Sequence, residues 1–121
     1  KEYQPDAKLM KWAEENGNFV CTDNVLEGAS GADVLYTDVW ASMGQEGEAE
    51  KRKLAFAGFQ INDSVMSVAK SDAMVQHCLP AHREEEITTK VFEEHATEIF
   101  DEAENRLHAQ KAVLVKCLLG K

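Results

Sequence analysis

Near the start of the chain the apolar residues Leu9, Met10, Trp12 and Ala13 recur at helical spacing. Asp6 stands before them as a capping residue and Gly17 after them as a stop, which predicts a helix between the two. Phe19-Val20-Cys21 reads as a short strand. Thr22-Asp23-Asn24 supplies caps for a brief helix over Val25 to Ala29, closed by the Ser30-Gly31 turn. Val34-Leu35-Tyr36-Thr37 is a compact β-type run of the kind buried in parallel sheets.

From Ala41 to Glu50 small and acidic residues predict a loop that leads into a helix over Lys51 to Ala57, closed by Gly58. Asn62 or Asp63 caps the next helix, through Val65, Met66, Val68 and Ala69. Ala73 to His77 reads as another strand, ended by Pro80, and Thr88 or Thr89 opens a short helix through Val91 and Phe92. Ile99-Phe100 is a candidate last strand, and Glu102 to Leu119 is the longest helical pattern in the chain. Strands alternating with helices predict an α/β fold with a doubly wound parallel sheet, Rossmann-like in class. In the last helix, Val113, Leu114, Val115, Cys117, Leu118 and Leu119 cover far more than one stripe. Such a helix requires partners on more than one side, from a further domain or a neighbouring subunit.

Charge narrows the choice of partner. Against 13 Lys and Arg stand 22 Asp and Glu, a net charge of -9. A field of that sign repels phosphate backbones and anionic lipid, arguing against nucleic-acid or membrane partners, and favours a cationic small molecule. No apolar run approaches the roughly 18 residues that span a bilayer. Cys21, Cys78 and Cys117 form neither a CxxC pair nor a short disulfide framework, which fits a reducing compartment. The opening Lys1-Glu2-Tyr3-Gln4-Pro5 has no initiator Met and no signal-peptide apolar stretch, and the expectation is that Lys1 is not the natural start.

In open parallel sheets ligands bind at the carboxyl ends of the strands. Asp38-Val39-Trp40-Ala41-Ser42-Met43-Gly44 and His77-Cys78-Leu79-Pro80 are the segments predicted to reach that edge. Asp38 offers a carboxylate for an ammonium group, Ser42 a hydroxyl, and Gly44 a close backbone approach. Asp38 also suits a helix cap, and Met43 simple packing. Cys78, flanked by His77, His82 and Arg83, has three readings. It is a buried inert thiol, a zinc ligand, or the nucleophile of a Cys/His hydrolase in electropositive surroundings that favour thiolate. A zinc site lacks recognisable ligand spacing among Cys21, Cys117, His95 and His108. Arg106 reads either as a surface partner of Glu102 or as a cation reserved for a ligand oxygen. Glu84-Glu85-Glu86 reads as a solvated face, with Arg83 bracing the turn.

Three segments taken together carry a resemblance. Asp38-Val39-Trp40-Ala41-Ser42-Met43-Gly44-Gln45-Glu46 resembles the ornithine-binding loop of ornithine carbamoyltransferases, and His77-Cys78-Leu79-Pro80-Ala81-His82-Arg83 resembles their active-site signature. The stretch from Phe100-Asp101-Glu102-Ala103-Glu104-Asn105-Arg106 to Leu107-His108-Ala109-Gln110-Lys111-Ala112 resembles their carboxy-terminal helix. Gly31-Ala32-Asp33-Val34-Leu35-Tyr36-Thr37 also matches, so the resemblance covers essentially all of 1–121. Aspartate carbamoyltransferases are expected to carry Pro where Cys78 stands, and putrescine enzymes a different loop in place of Ser42-Met43-Gly44.

The resemblance implies an incomplete carboxy-terminal, ornithine-binding domain of a two-domain enzyme that makes citrulline and phosphate from carbamoyl phosphate and L-ornithine. It assigns Asp38 and Ser42 to the α-amino group of ornithine, with help from the Met43 backbone. Cys78 is placed near the δ-amino group, and the Leu79 backbone and Arg106 at the carbamoyl group. Cys78 and Arg106 are the implied catalytic residues, and Cys78, Leu79 and Arg106 the implied carbamoyl-phosphate contacts. No metal and no organic cofactor is implied. Intact members are usually homotrimers, cytoplasmic or in the mitochondrial matrix. The family's Ser-Thr-Arg-Thr-Arg and His-Pro-x-Gln motifs do not occur in these 121 residues. The first βαβ part of the ornithine domain is also expected to be absent. Glu84 departs from the family by standing where Gly is common. The expectation is a chain inactive alone. Its rivals are a non-catalytic amino-acid-binding or assembly domain and, more remotely, a thiol hydrolase.

Overall fold

The computed structural model describes residues 3–42, 44 and 46–120. Among them the chain runs through α1 (Ala7–Asn16), α2 (Val25–Ala29), β1 (Val34–Thr37), a 3-10 turn (Glu46–Glu48) and α3 (Ala49–Phe56). It continues through α4 (Asp63–Val68), β2 (Met74–His77), α5 (Thr89–Glu94) and α6 (Ala96–Leu119). Four helices start where short polar side chains take up the orphan amides of the first turn. Asp6 accepts from the Lys8 and Leu9 amides at 2.9 and 3.2 Å. Asn24 accepts from Glu27, Asn62 from Ser64 and Val65, and Thr88 from Val91.

β1 and β2 pair in parallel, from Val34 opposite Met74 to Thr37 opposite His77. The connection through α3 and α4 is the long crossover that a parallel pair requires. The expected α/β class with a parallel sheet is therefore present, as a two-stranded sheet among the described residues. Alternation along the strands gives the sheet two unlike faces. Leu35, Val75 and His77 are buried, the latter two completely, and Ile61, Val65, Ile87, Val91, Phe92 and Ile99 complete the core. The opposite face is bare: Val34, Tyr36 and Met74 are 41, 56 and 43% exposed.

Two predicted strands are not strands. Residues 18–21 lie outside any regular element, and Val20 is 80% exposed. An extended triplet becomes a strand only when another strand meets its amides and carbonyls. Ile99-Phe100 belongs to α6, where Ile99 is fully buried against the sheet. Two adjacent apolar residues carry no period, and the helix-forming residues around them decide the matter. The helix expected over Lys51 to Ala57 begins earlier, at Ala49, and ends at Phe56.

The long helix is packed only at its beginning. Glu98 ties it to β2 by accepting the Val75 amide at 2.6 Å and binding the His95 ring. From Glu104 to Gly120 every residue is exposed, including Val113 at 61% and Leu118 at 78%.

Candidate functional site at the carboxyl ends of the strands

One position beyond the last registered pair, Thr37 and His77, come Asp38 and Cys78. Neighbouring parallel strands carry equivalent residues side by side, so the carboxylate and the thiol are set next to each other as the chains leave the sheet. The donor atoms of Asp38, His77 and Cys78 lie within 4.8 Å of one another. A cavity of about 330 Å³ opens here, with Asp38, Ser42, Cys78, Leu79, Pro80 and His82 in its walls. That volume is at the small end of the range for small-molecule sites.

Electrostatics at the thiol run opposite to the electropositive surroundings that one of the three readings of Cys78 requires. Burial pushes the Cys78 thiol up first, the hydrogen bond it donates to Asp38 pushes it further, and the charges of Asp38 and Glu102 add to this. Only the hydrogen bond with Tyr36 acts the other way. Although the Tyr36 side chain is largely exposed, its hydroxyl is pushed up to about 12, by local desolvation and then by its interaction with Cys78. Tyr36, Cys78 and Asp38 thus lie along one face of the sheet edge, and their combined influence favours the protonated thiol. Asp38 Oδ1 also accepts the Val39 amide at 2.7 Å. A thiol held protonated is a poor nucleophile, and the thiolate hydrolase reading is corrected accordingly. Iodoacetamide should therefore modify Cys78 more slowly at pH 8 than it modifies a free thiol of pKa about 8.5. The rate should keep rising well above that pH, as peptide mass spectrometry will read. A plateau below pH 8 would contradict a thiol held above its usual range.

The turn after β2 is held from beneath. The Leu79 amide donates to His77 Nδ1 at 3.0 Å, and His77 Nε2 meets Glu86 Oε1 at 2.9 Å. Leu79 has φ 54 and precedes a cis proline bond. Both ring nitrogens of His77 are thus engaged, so a metal held by Asp38, His77 and Cys78 would have to displace one of these bonds. Glu86 is fully buried, which corrects its reading as part of a solvated face. Burial alone would raise its carboxyl, but hydrogen bonds from His77 and the His82 amide prevail and hold it below the usual range. Glu84 occupies φ 67, a region that suits glycine, so a side chain at this position is held in a backbone conformation that non-glycine residues rarely adopt. Its carboxylate accepts the Thr89 amide at 2.8 Å and so helps start α5. Arg83 does brace the turn: it pairs with Glu93 and stacks over the Phe92 ring, 4.5 Å from its centroid.

Of the residues singled out from sequence, Asp38, Ser42, Cys78 and Leu79 come together at this cavity. Met43 lies outside the described residues. Arg106 is exposed on α6 and is not among the cavity walls. No ion pair joins it to Glu102 among the described residues, and Glu102 Oε2 is buried without a hydrogen-bond partner. The charge of Glu102, one turn earlier on α6, acts on both Cys78 and Tyr36. Sequence reasoning missed Tyr36, Glu86 and Glu102 as parts of the site. Tyr36 had a signal, because it stands two residues before Asp38 and so on the same face of the extended chain.

Fold and site together define a parallel α/β domain with a carboxylate–thiol site at the carboxyl ends of its strands. The family model for the aspartate/ornithine carbamoyltransferase Asp/Orn binding domain matches residues 1–117, and the chain belongs to that family. Over 98% of its length the chain is 53% identical to the ornithine carbamoyltransferase of Pyrococcus horikoshii, of which it covers 39%. Anabolic ornithine carbamoyltransferase from Campylobacter jejuni superposes with a TM-score of 0.87 at 39% identity, covering 94% of this chain and 39% of that one. The enzyme from Pyrococcus furiosus gives 0.81 at 50% identity, covering 94% and 38%. The chain thus spans about 39% of the length of the curated relatives it matches.

Proposed function

We propose that this chain is the ornithine-binding part of an ornithine carbamoyltransferase, which transfers the carbamoyl group of carbamoyl phosphate to the δ-amine of L-ornithine. The observation that carries the reading is the side-by-side placement of Asp38 and Cys78, with Ser42 and Leu79 in the walls of the same cavity. Its net charge of -9 suits a cationic amino acid.

In this reading Asp38 and Ser42 hold the α-ammonium group, assisted by the Met43 backbone, and Cys78 lies against the δ-amine. An alkylamine of pKa about 10.4 must lose a proton before it attacks a carbonyl. Because burial and the neighbouring carboxylate favour the protonated Cys78 thiol, Asp38 beside it is the group offered to receive that proton. The nitrogen lone pair then forms the new C–N bond, the carbon–oxygen bond to phosphate breaks, and inorganic phosphate leaves with citrulline. The Leu79 backbone and Arg106 address the carbamoyl group, the cation offsetting negative charge that grows on its oxygen. Arg106 must approach from α6 when both substrates are in place.

Holding two reactants in register supplies roughly 7–11 kcal/mol of barrier reduction, and one binding half forfeits most of it. The chain alone is therefore expected to bind ornithine in calorimetric titration and to make no citrulline. Adding a carbamoyl-phosphate-binding half from a relative should restore citrulline formation. Failure to bind ornithine, or citrulline formation by the purified 121 residues near the rate of an intact relative, would overturn this. The exposed apolar run of α6 favours a second reading, an assembly domain without catalysis. Complementation that yields a stable complex but no citrulline would select it.

A further inference from the structure

Glu86 is a charged residue buried as deeply as any in the core, at 0% exposure, yet it takes no direct part in the proposed chemistry. One of its oxygens, Oε1, receives both His77 Nε2 at 2.9 Å and the His82 amide at 2.6 Å. The other, Oε2, is buried without a partner, a cost the fold bears. The segment carrying Glu86 is pinned on both sides: the Ile61 amide donates to its carbonyl at 2.9 Å and the Thr88 amide to the Ile61 carbonyl at 3.1 Å. The two donors to Oε1 come from opposite ends of Cys78-Leu79-Pro80-Ala81, the segment that lines the cavity. Because His77 Nδ1 accepts the Leu79 amide, the ring is the neutral tautomer with its proton on Nε2, pointing at Glu86.

We propose that Glu86 is a positioning residue for the site: its single oxygen clamps the His77 ring and the His82 amide, and through His77 holds Leu79 in its left-handed conformation and Cys78 against Asp38. Leu79 at φ 54 sits in a backbone region that non-glycine residues leave unless the surroundings hold them. The bond from its amide to His77 is that hold, and the ring keeps the required tautomer and orientation only while an acceptor faces Nε2. This is the logic by which an outer carboxylate orients a ligating or catalytic imidazole, here applied to a backbone turn.

That the turn serves ornithine rests on the function proposed above, and the test separates the two. In the chain labelled with nitrogen-15 at histidine, His77 should show protonated Nε2 and unprotonated Nδ1. The Leu79 and His82 amides should resist hydrogen exchange. The reverse tautomer in the unaltered chain overturns the proposal without any variant. Glu86→Leu removes the acceptor shared by His77 Nε2 and the His82 amide and should abolish the tautomer preference and both protections. It should weaken ornithine binding about tenfold or more while melting remains cooperative. Glu86→Gln keeps an acceptor oxygen and should retain the tautomer, the protections and an ornithine affinity within a few-fold of the original. A cooperatively melting Glu86→Leu chain with unchanged tautomer and affinity sinks the proposal, as does a Glu86→Gln chain that behaves like Glu86→Leu. If the unaltered chain shows the tautomer and protections but takes up no ornithine, the functional reading fails. The positioning role then stands on the exchange difference between the two variants.

Discussion

Asp38→Asn is expected to raise the ornithine dissociation constant by one to two orders of magnitude while leaving the melting curve nearly unchanged. The carboxylate lies on an exposed edge of the sheet, where its Oδ1 accepts the Val39 amide at 2.7 Å. An asparagine oxygen can take that same bond, so the backbone keeps its partner. What disappears is the charge that an ammonium group would meet. Hydrogen bonds to charged groups contribute about 1.5–3 kcal/mol, which is about 10- to 150-fold in affinity. The substitution also removes the neighbouring carboxylate that favours the protonated Cys78 thiol. Alkylation of Cys78 should therefore become faster in Asp38→Asn at pH 8, even as ornithine is lost. Calorimetry and peptide mass spectrometry read the two effects independently. A variant that keeps both its ornithine affinity and its slow alkylation would remove Asp38 from the site.

Ile99→Ala should be the most damaging conservative truncation among the residues of α6. Ile99 is completely buried in the cluster that joins this helix to β2 and α5. Removing its outer carbons leaves a cavity under the sheet at a cost of about 2–5 kcal/mol. Against a total of about 5–15 kcal/mol for a native domain, that is a large share. Leu118→Ala, near the far end of the same helix, removes a side chain that is 78% exposed and should change stability by no more than about 0.5 kcal/mol. Urea titration of both variants followed by circular dichroism provides the comparison. Equal midpoints would mean that the described packing of α6 on β2 is wrong.

The contrast between Ile99 and Leu118 also marks where sequence reading succeeds and fails. Both are large apolar residues in a strongly helical pattern. The extent of the apolar surface beyond Val113 was correctly read as more than one sheet could cover, and those residues are indeed uncovered here. Ile99 was misread as part of a strand, because two adjacent apolar residues have no period of their own. Phe19-Val20-Cys21 was misread for a related reason. Its composition suits a strand, but strand formation depends on a neighbour that a local pattern does not reveal.

The candidate site divides in the same way. Asp38, Ser42, Cys78 and Leu79 were legible because each stands just after a strand or in the loop that follows one, and ligand sites in parallel sheets gather there. Tyr36 was readable in principle from its alternation with Asp38. Glu86 was not readable at all. Within Glu84-Glu85-Glu86, three identical side chains meet three different fates. Glu84 reaches the Thr89 amide, Glu85 pairs with Lys53 at 3.0 Å, and Glu86 is enclosed beside His77.

The sequence by itself determined the capping residues, the apolar runs of the two strands and the position of Asp38 and Cys78 just beyond them, because these depend on side-chain chemistry and spacing along a few consecutive residues. The pairing that sets Asp38 beside Cys78 is tertiary. Only the tertiary structure decided that Cys78 is held as a thiol and that Glu86 faces inward. It alone showed that Glu102, rather than Arg106, acts on the thiol from α6. Burial and charge proximity are set by which distant segments pack together. Water is excluded from a carboxylate or a thiol by neighbours that no local pattern names.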